Sequence, residues 1–163
     1  MSFNPLQKKM IGHGALILLV AMLAGVGLLM SLVGGVELIP GSIIALEIPG
    51  NTAAWARTHV GGVLNAILVM VMAIVTAGLG FPEAKVKRIG WIFIGTGWGN
   101  TVFYWAALFA PNRALTIASN RFGETNLASI IGLVPGLIFA VLSIVATVMI
   151  ARQALCPKAC EAH

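Results

Sequence analysis

Val60-Gly61-Gly62-Val63-Leu64-Asn65-Ala66-Ile67-Leu68-Val69-Met70-Val71-Met72-Ala73-Ile74-Val75-Thr76-Ala77-Gly78-Leu79 runs for twenty residues without a charged side chain. At 1.5 Å per residue a helix of this length reaches about 30 Å, the thickness of a bilayer's hydrocarbon core. Hydrocarbon offers the backbone no water to bond, so a segment this apolar must satisfy its N–H and C=O groups internally, as a helix. The run predicts a membrane span.

Three further stretches read the same way: Ile11 to Leu32, Ile89 to Ala110 and Leu127 to Ala154. The first resembles a secretory signal, but its apolar core is longer than a signal needs and three more spans follow, so a retained helix is expected. Overall 59% of the residues are hydrophobic and 9% charged, and the mean hydropathy is +0.98. Four spans with short links use up the 163 residues. The expected fold class is therefore an all-α integral membrane protein, one four-transmembrane-helix bundle over residues 1–163.

Charge placement orients the bundle. Lys8 and Lys9 precede the first span, Lys85, Lys87 and Arg88 fill the second link, and Arg152 and Lys158 follow the fourth span. The opposite side holds Arg57, Arg113 and Arg121 together with Glu37, Glu47 and Glu124. The positive-inside rule puts both termini in the cytoplasm, as expected of a multi-pass protein of a bacterial-type inner membrane. The net charge of +5 is then a topology signal, and no nucleic-acid partner is expected.

The connection from Val33 to Thr58 carries two related turns, Ile39-Pro40-Gly41 and Ile48-Pro49-Gly50, around the β-branched stretch Ser42-Ile43-Ile44-Ala45-Leu46. A short extended hairpin, or a loop lying on the membrane interface, is expected there as a cap. Cys156 and Cys160 match neither a thioredoxin-type pair nor a covalent-haem motif and read as free thiols; a metal site in the tail with His163 is the alternative. No phosphate loop, nucleophile elbow or zinc-protease helix occurs in the chain.

Chemistry must come from the few polar groups near the spans. His13 begins the first span near the cytoplasm and His59 begins the second near the outside, so most of the bilayer, on the order of 30 Å, separates them within one chain, too far to clamp one haem. Beside His59, Gly61 and Gly62 would let a flat ring approach the backbone, although Gly-Gly also serves close helix packing. Asn65 adds an amide to an apolar segment. In the third span Thr96, Asn100 and Tyr104 recur every four residues and are expected to stack along one face. Trp91, Trp98 and Trp105 make a second stripe, best read as packing or lipid contact.

Ile11-Gly12-His13-Gly14, Gly25-Val26-Gly27-Leu28, Leu32-Val33-Gly34-Gly35, Ile39-Pro40-Gly41, Trp55-Ala56-Arg57-Thr58-His59, Leu64-Asn65, Gly97-Trp98-Gly99-Asn100, Phe103-Tyr104 and Pro111-Asn112-Arg113 together resemble the styrene oxide isomerase family, in order and at compatible spacing. The resemblance implies a four-helix membrane enzyme assembled as a homotrimer, with haem b between neighbouring subunits. It implies His59 as the axial ligand to the haem iron, with Gly61 and Gly62 beside the cofactor and Asn65 and Tyr104 at the reacting face. Thr96 departs from the pattern, which has a carboxylate there, and this places any charge-dependent role at that position in doubt.

The same resemblance implies the reaction: ferric haem as a Lewis acid toward an aryl epoxide, benzylic C–O cleavage, a 1,2-hydride shift and release of an aryl acetaldehyde. Two other readings stand beside this one, a haem b electron carrier and a haem-free scaffold or permease. Bound haem separates the last from the others. Epoxide turnover without added reductant or oxidant separates the first two.

Overall fold

The computed structural model describes residues 3–156. Four long helices follow one another: α1 (Pro5–Val33), α2 (Thr52–Gly78), α3 (Glu83–Ala107) and α4 (Leu127–Leu155), with strands β1 (Gly35–Ile39) and β2 (Ser42–Ala45) between α1 and α2. Asparagine opens three of the helices. Asn4 and Asn126 form capping boxes with Gln7 and Ser129, and the Asn51 side chain accepts from the Ala54 N–H at 2.8 Å. Each cap satisfies backbone donors that a helix start leaves free, so the helices begin where the caps sit and not where the apolar runs begin.

That shift alters one expectation. His13 and His59 each lie about two turns inside their helices, and His59 packs at the level of Ala21 and Gly25 on α1. From His13 to that level is roughly 12–18 Å at 1.5 Å per residue, not the 30 Å that helix-end positions imply. A shared haem would hold two ligand nitrogens about 4 Å apart, so the two histidines of one chain still cannot share one.

Buried positions on α1 (Gln7, Met10, Gly14, Ile17, Ala21, Ala24, Gly27) recur every three or four residues, the spacing of one helix face. That face lies on α2, where small residues set the distance: a Cβ on Gly62 would stand 2.7 Å from that of Ala21, and one on Gly14 2.5 Å from the Met70 side chain. α3 packs on α2 and α1, and α4 packs on α3 through Phe139, which fills the space over Gly95 and Gly99. Met10, Ile17, Val69, Ile89 and Phe93 form the centre of the core.

α1, α2 and α4 are long and apolar enough to cross a membrane; α3 has the length, but Asn100, its glycines and its tryptophans make it less apolar. Leucine, isoleucine and valine side chains remain exposed along α1, α2 and α4. An apolar surface of this extent is that of a chain solvated by something other than water. The starts of α1 and α3 lie at one end, where a cavity of about 750 Å³ is lined by Asn4, Gln7, Lys9, Thr76, Lys87 and Trp91, among others.

The expected hairpin is present. β1 and β2 pair antiparallel, Val36 opposite Ile44, around a turn in which Gly41 takes φ +83° and donates its N–H to Glu37 Oε1 at 2.6 Å. Cys156 is exposed at the end of α4, and Cys160, Lys158 and His163 lie outside the described residues.

Candidate active site

His59 is half-buried on the side of α2 that meets α1. Its Nδ1 lies 2.9 Å from the Ala21 carbonyl oxygen, which can only accept, so Nδ1 carries the proton and donates. In a neutral imidazole this arrangement leaves the lone pair on Nε2, the form in which imidazole binds a metal. Gly25 makes the seat: a Cβ there would stand 2.9 Å from the ring's Nδ1 and Cε1.

His13 has the opposite arrangement. The Trp98 indole N–H, a donor only, is 3.1 Å from His13 Nδ1, and this leaves the neutral imidazole's proton on Nε2. Trp91 and Trp98 lie 6.5 and 6.4 Å from the His13 ring, and Trp105 makes an edge contact with Trp55 at 5.7 Å. Trp98 and Trp105 thus pack among the helices, while Trp91 stays exposed on the outer surface. His13 is tied to Trp98.

On the α3 side of α2, two polar layers sit one turn apart. Tyr104 lies over Gly61, where a Cβ would come 2.4 Å from Cε2 and 2.9 Å from the hydroxyl. Thr58 pins the same point, donating to the Ala54 carbonyl at 2.9 Å and to the Tyr104 carbonyl at 3.2 Å. One turn on, Asn65 donates to the Gly61 carbonyl at 2.7 Å and accepts from Asn100 at 2.9 Å. Gly61 and Gly62, expected as openings for a flat ring, are covered by Tyr104 and Ala21 of the same chain.

The expected single stripe on α3 divides. Successive positions four apart rotate by about 40° around a helix. Accordingly Asn100 and Tyr104 face α2, whereas Thr96 is buried toward α4, donating to the Ile92 carbonyl at 2.8 Å and to the Phe139 carbonyl at 3.3 Å.

The surroundings of the phenol do not follow from the spacing of residues in the sequence. Tyr104 lines a cavity of about 180 Å³ with Arg57, Thr58, Phe103, Arg113 and Leu115. Arg113 and Ala114 both take positive φ, 61° and 53°, a costly conformation for non-glycine residues that surrounding bonds must hold. Fully buried Asn112 does so, accepting from the Ala114 N–H and the Ser129 hydroxyl and donating to the Thr116 and Ala118 carbonyls. An asparagine following proline was the available signal. Among the described residues no three His, Cys, Asp or Glu side chains gather to hold a metal ion.

Fold and site define a helical protein of membrane type that holds His59 between α1 and α2 and Asn65, Asn100 and Tyr104 between α2 and α3. A family model described as styrene oxide isomerase matches residues 6–155. A styrene-oxide isomerase of Pseudomonas fluorescens is 44% identical over 149 residues, 91% of this chain and 88% of that relative. The chain belongs to the styrene oxide isomerase family and is an isomerase.

Proposed function

We propose that this isomerase converts styrene oxide and related aryl epoxides to aryl acetaldehydes, phenylacetaldehyde from styrene oxide, with haem b as its prosthetic group. The proposed form is a homotrimer of four-span subunits in a bacterial-type inner membrane, both termini cytoplasmic, with haem at the subunit interfaces.

The observation that carries the cofactor part is the His59 hydrogen bond to Ala21. It holds the one tautomer that can ligate iron through Nε2, and a carbonyl bonded to the far nitrogen is the usual support for a ligating histidine. His59 would hold the haem, beside the exposed aliphatic side chains of Val60 and Leu64. The cavity at Tyr104, about 180 Å³, is below the roughly 300–1,000 Å³ of ordinary ligand pockets, so a porphyrin needs a second surface, which a neighbouring subunit would supply. When bound, ferric haem b would supply a Lewis acid.

The chain's own residues do the rest. In the rearrangement the benzylic C–O bond breaks with its electrons going to oxygen, and the aryl ring spreads the positive charge left on carbon. A hydride then crosses from the neighbouring carbon to the benzylic one and the carbonyl forms at the carbon it left, so no atom is gained or lost. Tyr104 donates to the oxygen as it becomes an alkoxide, and an Asn65 N–H orients it. Water would trap the cation as a diol, and the apolar walls of the bundle exclude it.

The electron-carrier reading needs a second axial ligand. His13 is a poor one, because the Trp98 N–H occupies its Nδ1 and the proton sits on Nε2. The test is an absorption spectrum of the purified protein followed by a styrene oxide assay with no redox additive. A Soret band and redox-free turnover are expected, with dithionite lowering the rate and reoxidation restoring it. A haem-free active enzyme, or an equally active and verified ferrous one, overturns the haem Lewis-acid reading.

A further inference from the structure

The Asn65 amide is held at two points. Its Nδ2 donates to the Gly61 carbonyl at 2.7 Å, and its Oδ1 accepts from Asn100 Nδ2 at 2.9 Å. Since the Gly61 oxygen can only accept, nitrogen must occupy that side of the amide, and Oδ1 must face α3. With 7% of its surface exposed, Asn65 has little water there, and Asn100 supplies the donor that Oδ1 requires.

The clamp has a chemical consequence. With Oδ1 engaged and one N–H spent on Gly61, the amide retains a single N–H. Gly61, one turn back on α2, carries the Tyr104 ring. Antiparallel packing sets Asn65 against Asn100 and Gly61 against Tyr104, so the amide and the phenol share one face.

We infer that Asn100 is a positioning residue for the isomerisation, locking the Asn65 amide so that it presents an N–H, and not a carbonyl lone pair, to the oxygen that gains charge. An N–H stabilises that developing charge, whereas a carbonyl oxygen repels it. The inference rests on the proposed place of Asn65 at the reacting face. Without Asn100 the Gly61 carbonyl alone holds the amide, Oδ1 loses its donor, and the retained N–H swings about the soft χ2 torsion away from the oxygen it serves.

The test compares Asn100→Leu, Asn100→Asp, Asn65→Ala and the double variant Asn65→Ala/Asn100→Leu, as purified enzymes with rates per haem and thermal midpoints recorded. Asn100→Leu is expected to lower kcat by about 10- to 100-fold with KM within about threefold, less than the about 10²- to 10³-fold of losing a transition-state donor outright, because the donor is misplaced and not removed. Asn100→Asp, the same size, restores a donor only when its carboxyl is protonated, so its rate relative to the parent should fall as pH rises. In the Asn65→Ala background, Asn100→Leu should cost less than about threefold, because the group it positions is gone. An Asn65→Ala enzyme at the parent rate overturns the placement of Asn65 itself. A slow Asn65→Ala enzyme in which Asn100→Leu still costs its full factor, or an Asn100→Leu enzyme at the parent kcat, overturns the inference about Asn100 alone.

Discussion

His59 and Tyr104 approach α2 from opposite sides. The imidazole bonds to the Ala21 carbonyl of α1, and the phenol lies on Gly61, whose direction from the helix axis differs from that of His59 by about 200°. One prosthetic group held by His59 therefore cannot meet the Tyr104 of the same chain on its other face without passing around α2. If haem lies between subunits, the ligand and the phenol of one site come from different chains. Co-expression of His59→Ala with Tyr104→Phe checks this. Random assortment into closed trimers leaves about a quarter of the sites with both residues intact, so activity should return to that level. Mixtures no more active than the separate variants would place both residues in one chain's site.

The histidines themselves should behave differently. His59→Ala is expected to lose haem or shift its Soret band and to abolish turnover, because Nε2 is the iron ligand in the proposed site. His13→Ala should keep haem and activity while leaving the Trp98 indole N–H without its partner, a loss of about 1–3 kcal/mol in stability. Spectra and thermal midpoints of both variants in detergent decide the matter. Normal haem content and turnover in His59→Ala would remove His59 from the ligand position.

Both histidines were misplaced along the membrane normal by reading hydropathy alone. Apolar content marks where a helix enters hydrocarbon, but Gln7-Lys8-Lys9 and Trp55-Ala56-Arg57 belong to the first two turns of α1 and α2, which hydropathy excludes. The asparagine caps were the better markers. The hairpin was legible because Pro40-Gly41 provides a turn between β-branched runs, and the four helices because each needs only a long apolar segment. What could not be read was direction around a helix. A spacing of four drifts by about 40° per step, so Thr96 turned to α4 while Tyr104 turned to α2. Nor does any pattern in the chain reveal that a main-chain oxygen, that of Ala21, selects the tautomer of His59.

The two glycines after His59 should give distinct phenotypes. A methyl group on Gly61 would stand 2.4 Å from the Tyr104 ring, so Gly61→Ala must displace the phenol and is expected to slow turnover by about 10²-fold, as loss of the donor would. Gly62→Ala instead meets Ala21 and wedges α1 from α2, an overpacking cost of about 1–3 kcal/mol in stability. Rates per haem and thermal midpoints separate the two. A Gly61→Ala enzyme with the parent rate would show that the position of the Tyr104 ring is immaterial.

Asn112 offers a test of the loop that carries Arg113 to the cavity. Its side chain answers four groups and is fully buried, so Asn112→Leu leaves several polar atoms without partners and removes what holds two positive-φ residues. A loss of about 2–4 kcal/mol is expected. Thermal or denaturant unfolding in detergent measures it, and a loss below about 0.5 kcal/mol would show that other contacts hold the loop.

The surroundings of Thr96 predict a small effect on turnover. Its hydroxyl is spent on the Ile92 and Phe139 carbonyls, and it faces α4, away from the layer formed by Asn65, Asn100 and Tyr104. A neutral hydroxyl in that position can neither stabilise a benzylic cation by charge nor reach the oxygen that leaves it. Thr96→Ala should therefore slow turnover by no more than a few fold, while Tyr104→Phe, with folding and haem content preserved, should slow it by about 10²-fold or more. Thr96→Val, which keeps the shape and removes only the hydroxyl, separates a packing effect from a polar one. The comparison requires haem occupancy to be measured in each variant and rates to be expressed per haem. Should Thr96→Ala and Thr96→Val both prove as damaging as Tyr104→Phe, the reacting face lies toward α4, and Thr96 contacts the substrate or haem directly.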